Sequence, residues 1–314
     1  MVVVWKVNQQ QMELGRGKRS QIWGGAFLLW VCLMLATPKI PLSHHTHQQH
    51  LFADMRNFLG VPNTLNVITN FPFLLVGVVG FVLSVHGCFF NIREIVSVCS
   101  LRGEVWGWAL YFGGIVCVAF GSAYYHLKPD DSRVMYDTLP IVIAYSSLFS
   151  SFIVERVGQK AGLSWLFGLL LVALLSAAYA RTFNDLRLCM MFQLIPCAAI
   201  PAISILGSPK YTHSKYWLWA GGVCLFAKLE AALDRKLYHA NRYFISGHSL
   251  EHLCTAVVPI LLTVMLMRRN LRFQRYKISV SCKIKKCRWL LVVTAFEKVS
   301  SFLHIGLILC LCSP

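Results

Sequence analysis

Charged residues break positions 21–267 only at intervals, leaving a series of long apolar runs, and this spacing decides what the chain can fold into. A helix that crosses a bilayer needs ~20 mainly apolar residues. Charge-free runs of that order occur at 21–38, within 57–92, and at 105–127, 138–154, 161–180 and 188–209. Two more, at 214–233 and 245–267, are interrupted by a few polar residues. Composition agrees, with 56% of residues hydrophobic and 14% charged, against roughly 45–50% and 25% in a soluble domain. A pair of soluble domains and intrinsic disorder are both excluded. The expected fold is all-α: a polytopic membrane protein with a seven-transmembrane helical bundle over 52–267 and an additional N-terminal hydrophobic helix at 21–38. Trp106, Trp108, Trp165, Trp217 and Trp219 fall near the starts of runs, where indole rings favour the membrane interface.

Charge is concentrated at the ends. The net charge is +17, from 30 basic and 13 acidic residues. Residues 268–314 carry ten Lys/Arg and one acid, Glu297, and the basic segment 1–20 carries four cations and one acid. Basic ends on a hydrophobic chain point to cytoplasmic anchoring beside anionic lipid and not to nucleic acid. With the N-terminus cytoplasmic, alternating loops put 20 cations on the cytoplasmic side and nine opposite, half of the 20 coming from the tail. The first run resembles a signal-peptide core, but Pro38 and Pro41 make a poor cleavage site, which favours an uncleaved anchor. The twelve Cys contain no CxxC, and Cys32, Cys117, Cys189, Cys224 and Cys254 lie within apolar runs as small hydrophobes.

Ionisable groups at membrane depth are costly and mark function by default. Ser122 and His126, four apart, share a helix face at the end of the 105–127 run. Alone, such a His reads as interfacial. Asp137 opens the next run, where a helix N-terminus favours a carboxylate. His248 and His252, again four apart, open the 245–267 run in a familiar helical zinc arrangement. The fragment His248-Ser249-Leu250-Glu251-His252 is not HExxH, so Glu251 does not take that motif's base role. His44, His45, His47 and His50 lie in a Pro- and Gln-flanked connection and read as a solvated loop. Alternating topology brings His126, Asp137, His248, His252 and Ser122 to one membrane depth from three helices, whichever way the protein faces. Three His with an open fourth position is the ligand set of a catalytic zinc.

Those five positions, in that order and spacing, resemble the alkaline ceramidases and the wider superfamily of seven-span zinc hydrolases that includes the adiponectin-receptor-like proteins. The resemblance covers roughly 52–267. Phe52-Ala53-Asp54-x-Arg56-x2-Leu59-Gly60-Val61-Pro62-Asn63, followed by Asn66-x3-Asn70-x-Pro72-Phe73, is similar to the opening of the bacterial and plant branch. The resemblance implies that His126, His248 and His252 bind zinc, that Asp137 handles the proton and that Ser122 stabilises the transition state. The acidic Trp-Cys-Glu element that binds calcium in the animal enzymes is missing here. Asn63-Thr64-Leu65-Asn66 stands where that family has a glutamate, which puts calcium in question and leaves Asp54 as a candidate ligand. The resemblance does not extend to the tail from about Arg268, whose apolar end, Phe302–Cys312, is short for a span.

Amide hydrolysis is the chemistry such a set supports. Zinc activates water and polarises a carbonyl, an aspartate moves the proton, and a serine hydroxyl donates to the oxyanion, worth ~3 kcal/mol. The family implies ceramide or phytoceramide as a membrane lipid substrate, with anionic lipid at the tail as a second partner. The expected setting is an endoplasmic reticulum or Golgi membrane with the tail cytosolic. Two rivals remain. One is a lipid sensor of the same superfamily with structural zinc. The other is a proton-coupled transporter, which would use Glu230 and Asp234 but leave the three His unexplained.

Overall fold

The computed structural model describes residues 32, 34–41, 52–86, 98–206, 209 and 211–269. The 1–20 segment, most of the 21–38 anchor, His44, His45, His47 and His50, and the tail beyond Arg269 lie outside the described residues. Among those described, the chain is all-helical apart from an isolated bridge between Phe58 and Val61. The helices are α1 (Thr64–Ile68), α2 (Phe71–Val85), α3 (Val98–Leu127), α4 (Val134–Arg156), α5 (Gln159–Phe183), α6 (Arg187–Leu206), α7 (Lys215–Ala232), α8 (Asp234–Ala240) and α9 (Gly247–Arg268).

Among the described residues, six stretches are long and apolar enough to cross a membrane: Thr64–Val85 (α1 and α2 together), Gly103–Leu127, Val134–Arg156, Gln159–Phe183, Arg187–Ile205 and Gly247–Arg268. The chain is therefore membrane-embedded. The expected run at 214–233 becomes α7, but Lys215, Lys228 and Glu230 keep this 18-residue helix out of the apolar class.

Contacts sort the helix ends into two sets. At one end, Arg269 after α9 bonds Glu104 of α3 at 2.9 Å, and Tyr211 reaches the same Glu104 at 2.8 Å. Glu155 of α4 accepts from Ser214 and Trp217, at 3.3 and 3.0 Å, beside the start of α7. At the other end lie His126, Asp137, Asp234 and His248, which form the site described below. The short α3–α4 turn is closed by Asp130, whose Oδ1 accepts from Ser132 N, Ser132 Oγ and Arg133 N at 3.1, 2.6 and 2.9 Å. The Ser132 hydroxyl holds this carboxyl below its usual range. Ahead of the bundle, residues 34–40 are tied to the α5–α6 loop. Arg187 donates to the carbonyls of Met34 and Thr37 at 3.1 and 2.9 Å, and Leu186 N donates to that of Ile40 at 2.7 Å.

Two tryptophans are not where interfacial reasoning puts them. Trp108 and Trp217 are fully buried and stacked on each other at 5.8 Å, whereas Trp106, Trp165 and Trp219 are exposed. At ~100° per residue, positions two apart face opposite ways, so each Trp-x-Trp pair splits into one core and one outward ring. The cysteines split similarly: Cys189, Cys197 and Cys224 are buried, while Cys32 and Cys117 are exposed.

The α3–α4 contact is unusually close for a chemical reason. Pro140 has no N–H for the carbonyl of Tyr136, four residues earlier. Gly121 of α3 sits against that carbonyl, so near that an added Cβ would lie 1.9 Å from the oxygen. Only glycine allows this approach. It sets Ser122 against Asp137.

Candidate metal centre

The site is built from helix ends held rigid by main-chain bonds. Ser246 caps α9, its Oγ accepting from Ser249 N at 3.1 Å. Asp234 adds a second clip, Oδ1 accepting from His248 N at 2.8 Å and Oδ2 from Ala53 N at 2.9 Å. Gly247 lets this end abut the α7–α8 junction, since a Cβ there would lie 2.3 Å from the Glu230 carbonyl oxygen. Asp234, a candidate proton carrier on the transporter reading, is thus a structural acceptor. Across the site, Asn63 Nδ2 donates to the carbonyl of His126 at 2.8 Å and anchors the end of α3.

These restraints bring His126, His248 and His252 together. One ring nitrogen from each lies within 4.8 Å of the others, an arrangement that could hold a metal ion. His126 is fully buried, His252 is buried and His248 is half-buried. His126 Nε2 and His248 Nε2 are 3.2 Å apart. Tetrahedral ligands at ~2.0–2.1 Å from zinc stand about 3.3 Å from each other, so this pair already has the required separation.

The other ring nitrogens explain why Nε2 faces inward. His248 Nδ1 lies 3.3 Å from Glu251 Oε2. His252 Nδ1 lies 2.9 Å from Thr69 Oγ1, whose own hydrogen goes to the Leu65 carbonyl at 2.7 Å. Thr69 therefore accepts, and both rings carry their proton on Nδ1, leaving Nε2 with a lone pair. Such outer partners orient metal-binding imidazoles and raise their basicity. Glu251 is in turn paired with Lys228 Nζ at 2.5 Å. Phe52 closes the cluster, its ring 4.7 Å from that of His126 and stacked on His248 at 4.8 Å.

All five site residues expected from sequence meet here. The Ser122 hydroxyl hydrogen-bonds the Asp137 carboxyl. Both line a cavity of ≈ 350 Å³ that also takes in His248, His252, Glu251 and Lys228. Away from this polar end much of the wall is apolar, with Phe73, Ile115, Val118, Ile141 and Pro259. Asp54, a candidate ligand, is instead paired with Arg56, whose Nε and Nη2 donate to its two oxygens at 2.8 and 2.6 Å.

Sequence reasoning missed four contributors. Glu251 was set aside as a base, yet its i,i+3 spacing from His248 was the signal for a supporting pair. Lys228 was visible as a lone cation inside a run. Phe52 stood at the head of the segment that carries the family resemblance, without a role, and Thr69 carried no signal apart from the fold. No known family model matches the chain, and comparison with curated proteins finds no match.

Proposed function

We propose that this chain is a zinc-dependent intramembrane amidase that hydrolyses the N-acyl amide of ceramide or phytoceramide to a sphingoid base and a free fatty acid. The observation that carries the reading is the convergence of three inward-facing imidazoles beside Ser122 and Asp137, at the polar end of a mostly apolar cavity. A bilayer-soluble amide with long chains matches that division of polar head and apolar wall.

His126, His248 and His252 would hold the zinc. Bound there, it supplies Lewis acidity, polarising a carbonyl and lowering the pKa of water. Asp137 takes the proton of the attacking water and returns it to the departing nitrogen. Ser122 rests on Asp137 before substrate arrives. It exchanges that acceptor for the carbonyl oxygen as negative charge develops there, when such a bond is worth most. Three His with no fourth protein ligand among the described residues favour this reading over a lipid sensor with closed, structural zinc.

The finer architecture belongs to the same proposal. The chain forms a seven-transmembrane bundle over 52–267 in which α7 joins the six apolar spans as the sixth in chain order, and the bundle is preceded by an uncleaved anchor at 21–38. The basic tail is cytosolic, against anionic lipid, in an endoplasmic reticulum or Golgi membrane. The decisive experiment measures zinc content and ceramide turnover on purified full-length protein and on His248→Ala. The wild type should hold about one zinc and release fatty acid, and the variant should do neither. Full zinc retention in His248→Ala, or a zinc-loaded wild type with no turnover of any ceramide, would overturn the proposal.

A further inference from the structure

One stretch of the cavity wall is polar in a way the metal centre does not use. The first turns of α1 and α2 run alongside α9 in parallel register. Asn66 Oδ1 accepts from Ser249 Oγ at 2.6 Å, and Thr69 meets His252 at 2.9 Å, the partners being 183 residues apart in both cases. Just beyond that pair come Asn70, the next residue after Thr69, and Thr255, three residues after His252, and both line the cavity. Each carries a buried oxygen without a hydrogen-bond partner, Asn70 Oδ1 and Thr255 Oγ1. Asn70 itself is 1% exposed.

A proline strands the first of these oxygens. An Asn at a helix N-cap ordinarily turns its Oδ1 onto the N–H of the second or third helical residue. Here the second residue, Pro72, has no N–H, and the N–H of the third, Phe73, goes to the main-chain oxygen of Asn70 at 3.1 Å. Asn70 Nδ2 donates to the Asn66 carbonyl at 2.7 Å, which fixes the amide's orientation and leaves Oδ1 as the atom facing away. In α9, a threonine hydroxyl would ordinarily bond back to the carbonyl four residues earlier, but Thr255 does not. Pro259, four residues on, supplies no N–H to the Thr255 carbonyl.

Resting on the amidase reading, we infer that Asn70 and Thr255 form a hydroxyl-binding subsite that selects N-acyl amino alcohols over simple N-alkyl amides. The donor balance identifies the group. Asn70 Oδ1 can only accept, so an incoming carboxylate or phosphate would face a second acceptor. A neutral hydroxyl satisfies both walls with one oxygen, donating to Asn70 Oδ1 and accepting from Thr255 Oγ1. The subsite lies about one helical turn, ~5 Å, from His252. A hydroxyl a few bonds from the scissile carbonyl reaches it while the carbonyl stays at the metal centre. A buried polar group left unpaired is costly, and a site built around a substrate hydroxyl rejects the analogue that lacks it.

The test uses the full-length, zinc-loaded protein with Asp137→Asn, so that the probe is not consumed. Binding of N-hexanoylsphinganine is compared with that of N-hexanoyl-2-aminooctadecane, the same amide without hydroxyls. The subsite requires a preference of roughly ten- to a hundredfold for the hydroxylated lipid. Asn70→Leu and Thr255→Val should each cut that preference about tenfold, with affinity for the plain amide and zinc content unchanged. Thr255→Val keeps the side-chain shape and decides the matter if Asn70→Leu fails to fold. An undiminished preference in a folded Thr255→Val protein would overturn the subsite. A wild type that turns over both lipids equally would overturn it too and leave the amidase standing. A wild type with no turnover but an intact, variant-sensitive preference would refute the amidase and keep the subsite.

Discussion

Gly121→Ala tests whether the α3–α4 contact positions the site. The added Cβ would stand 1.9 Å from the Tyr136 carbonyl oxygen and 2.8 Å from its carbon. Both are backbone atoms, so no rotamer change relieves the clash. Restoring a normal separation of at least about 3 Å requires the helices to part by roughly 1 Å. Overpacking of this kind costs about 1–3 kcal/mol, or a fall in melting temperature of roughly 5 °C for a chain of this size. The functional loss should be larger than the stability loss. Ser122 adjoins the clash and Asp137 lies on the opposing strip, and a 1 Å misplacement near the chemistry costs about a hundredfold in rate. Gly168→Ala in α5 is the control, because a Cβ there meets nothing within 4 Å. Thermal unfolding of the detergent-solubilised proteins, with ceramide turnover on the same samples, separates the two effects. If Gly121→Ala matched Gly168→Ala in both assays, the close approach would not be what sets Ser122 on Asp137.

The other predictions concern the metal centre and its surroundings. Asp137→Asn should keep its zinc while losing nearly all amidase turnover, and normal hydrolysis would reduce Asp137 to a helix-end carboxylate. Glu251→Gln should weaken zinc about ten- to a hundredfold in a competition titration with a chelator, because His248 Nδ1 loses its charged acceptor; unchanged affinity would mean that Glu251 serves only Lys228. Replacing His44, His45, His47 and His50 together should leave zinc content and turnover alone, and a large loss of either would move the metal centre to that cluster.

What was legible in the sequence was whatever periodicity and topology carry. Four-residue spacing put Ser122 with His126 and His248 with His252, and alternating runs put both pairs at one end of the membrane together with Asp137. Those inferences need only the helix repeat and a count of crossings. What was hidden depends on how helices rotate about their own axes. Trp106 and Trp108 look alike in a hydropathy profile, yet one is outward and the other is stacked in the core. Proline chemistry was hidden too. Pro140 matters because Gly121, on another helix, occupies the space at the carbonyl it frees, and no single run shows that pairing. Asp54 and Asp234 read as ligand or proton carrier because both are acids near a membrane. Local partners decide otherwise: Arg56 claims one, and two main-chain N–H groups claim the other.

α7 shows that charge on a helix of this chain does not by itself mean exposure to water. Three charged residues, Lys215, Lys228 and Glu230, keep it below the threshold for a membrane-crossing helix. Lys228 nevertheless points into the bundle, where its Nζ bonds Glu251 Oε1 and Glu251 Oε2 faces His248 Nδ1. A lone carboxylate at that depth would be strongly penalised, and breaking a buried pair by removing one partner is costly because it strands the other charge. The lysine therefore makes an ionised Glu251 tolerable, and the ionised Glu251 keeps the His248 proton on Nδ1 with Nε2 toward its two neighbours. The charge that lowers the hydropathy of α7 is thus part of the support for the imidazole cluster.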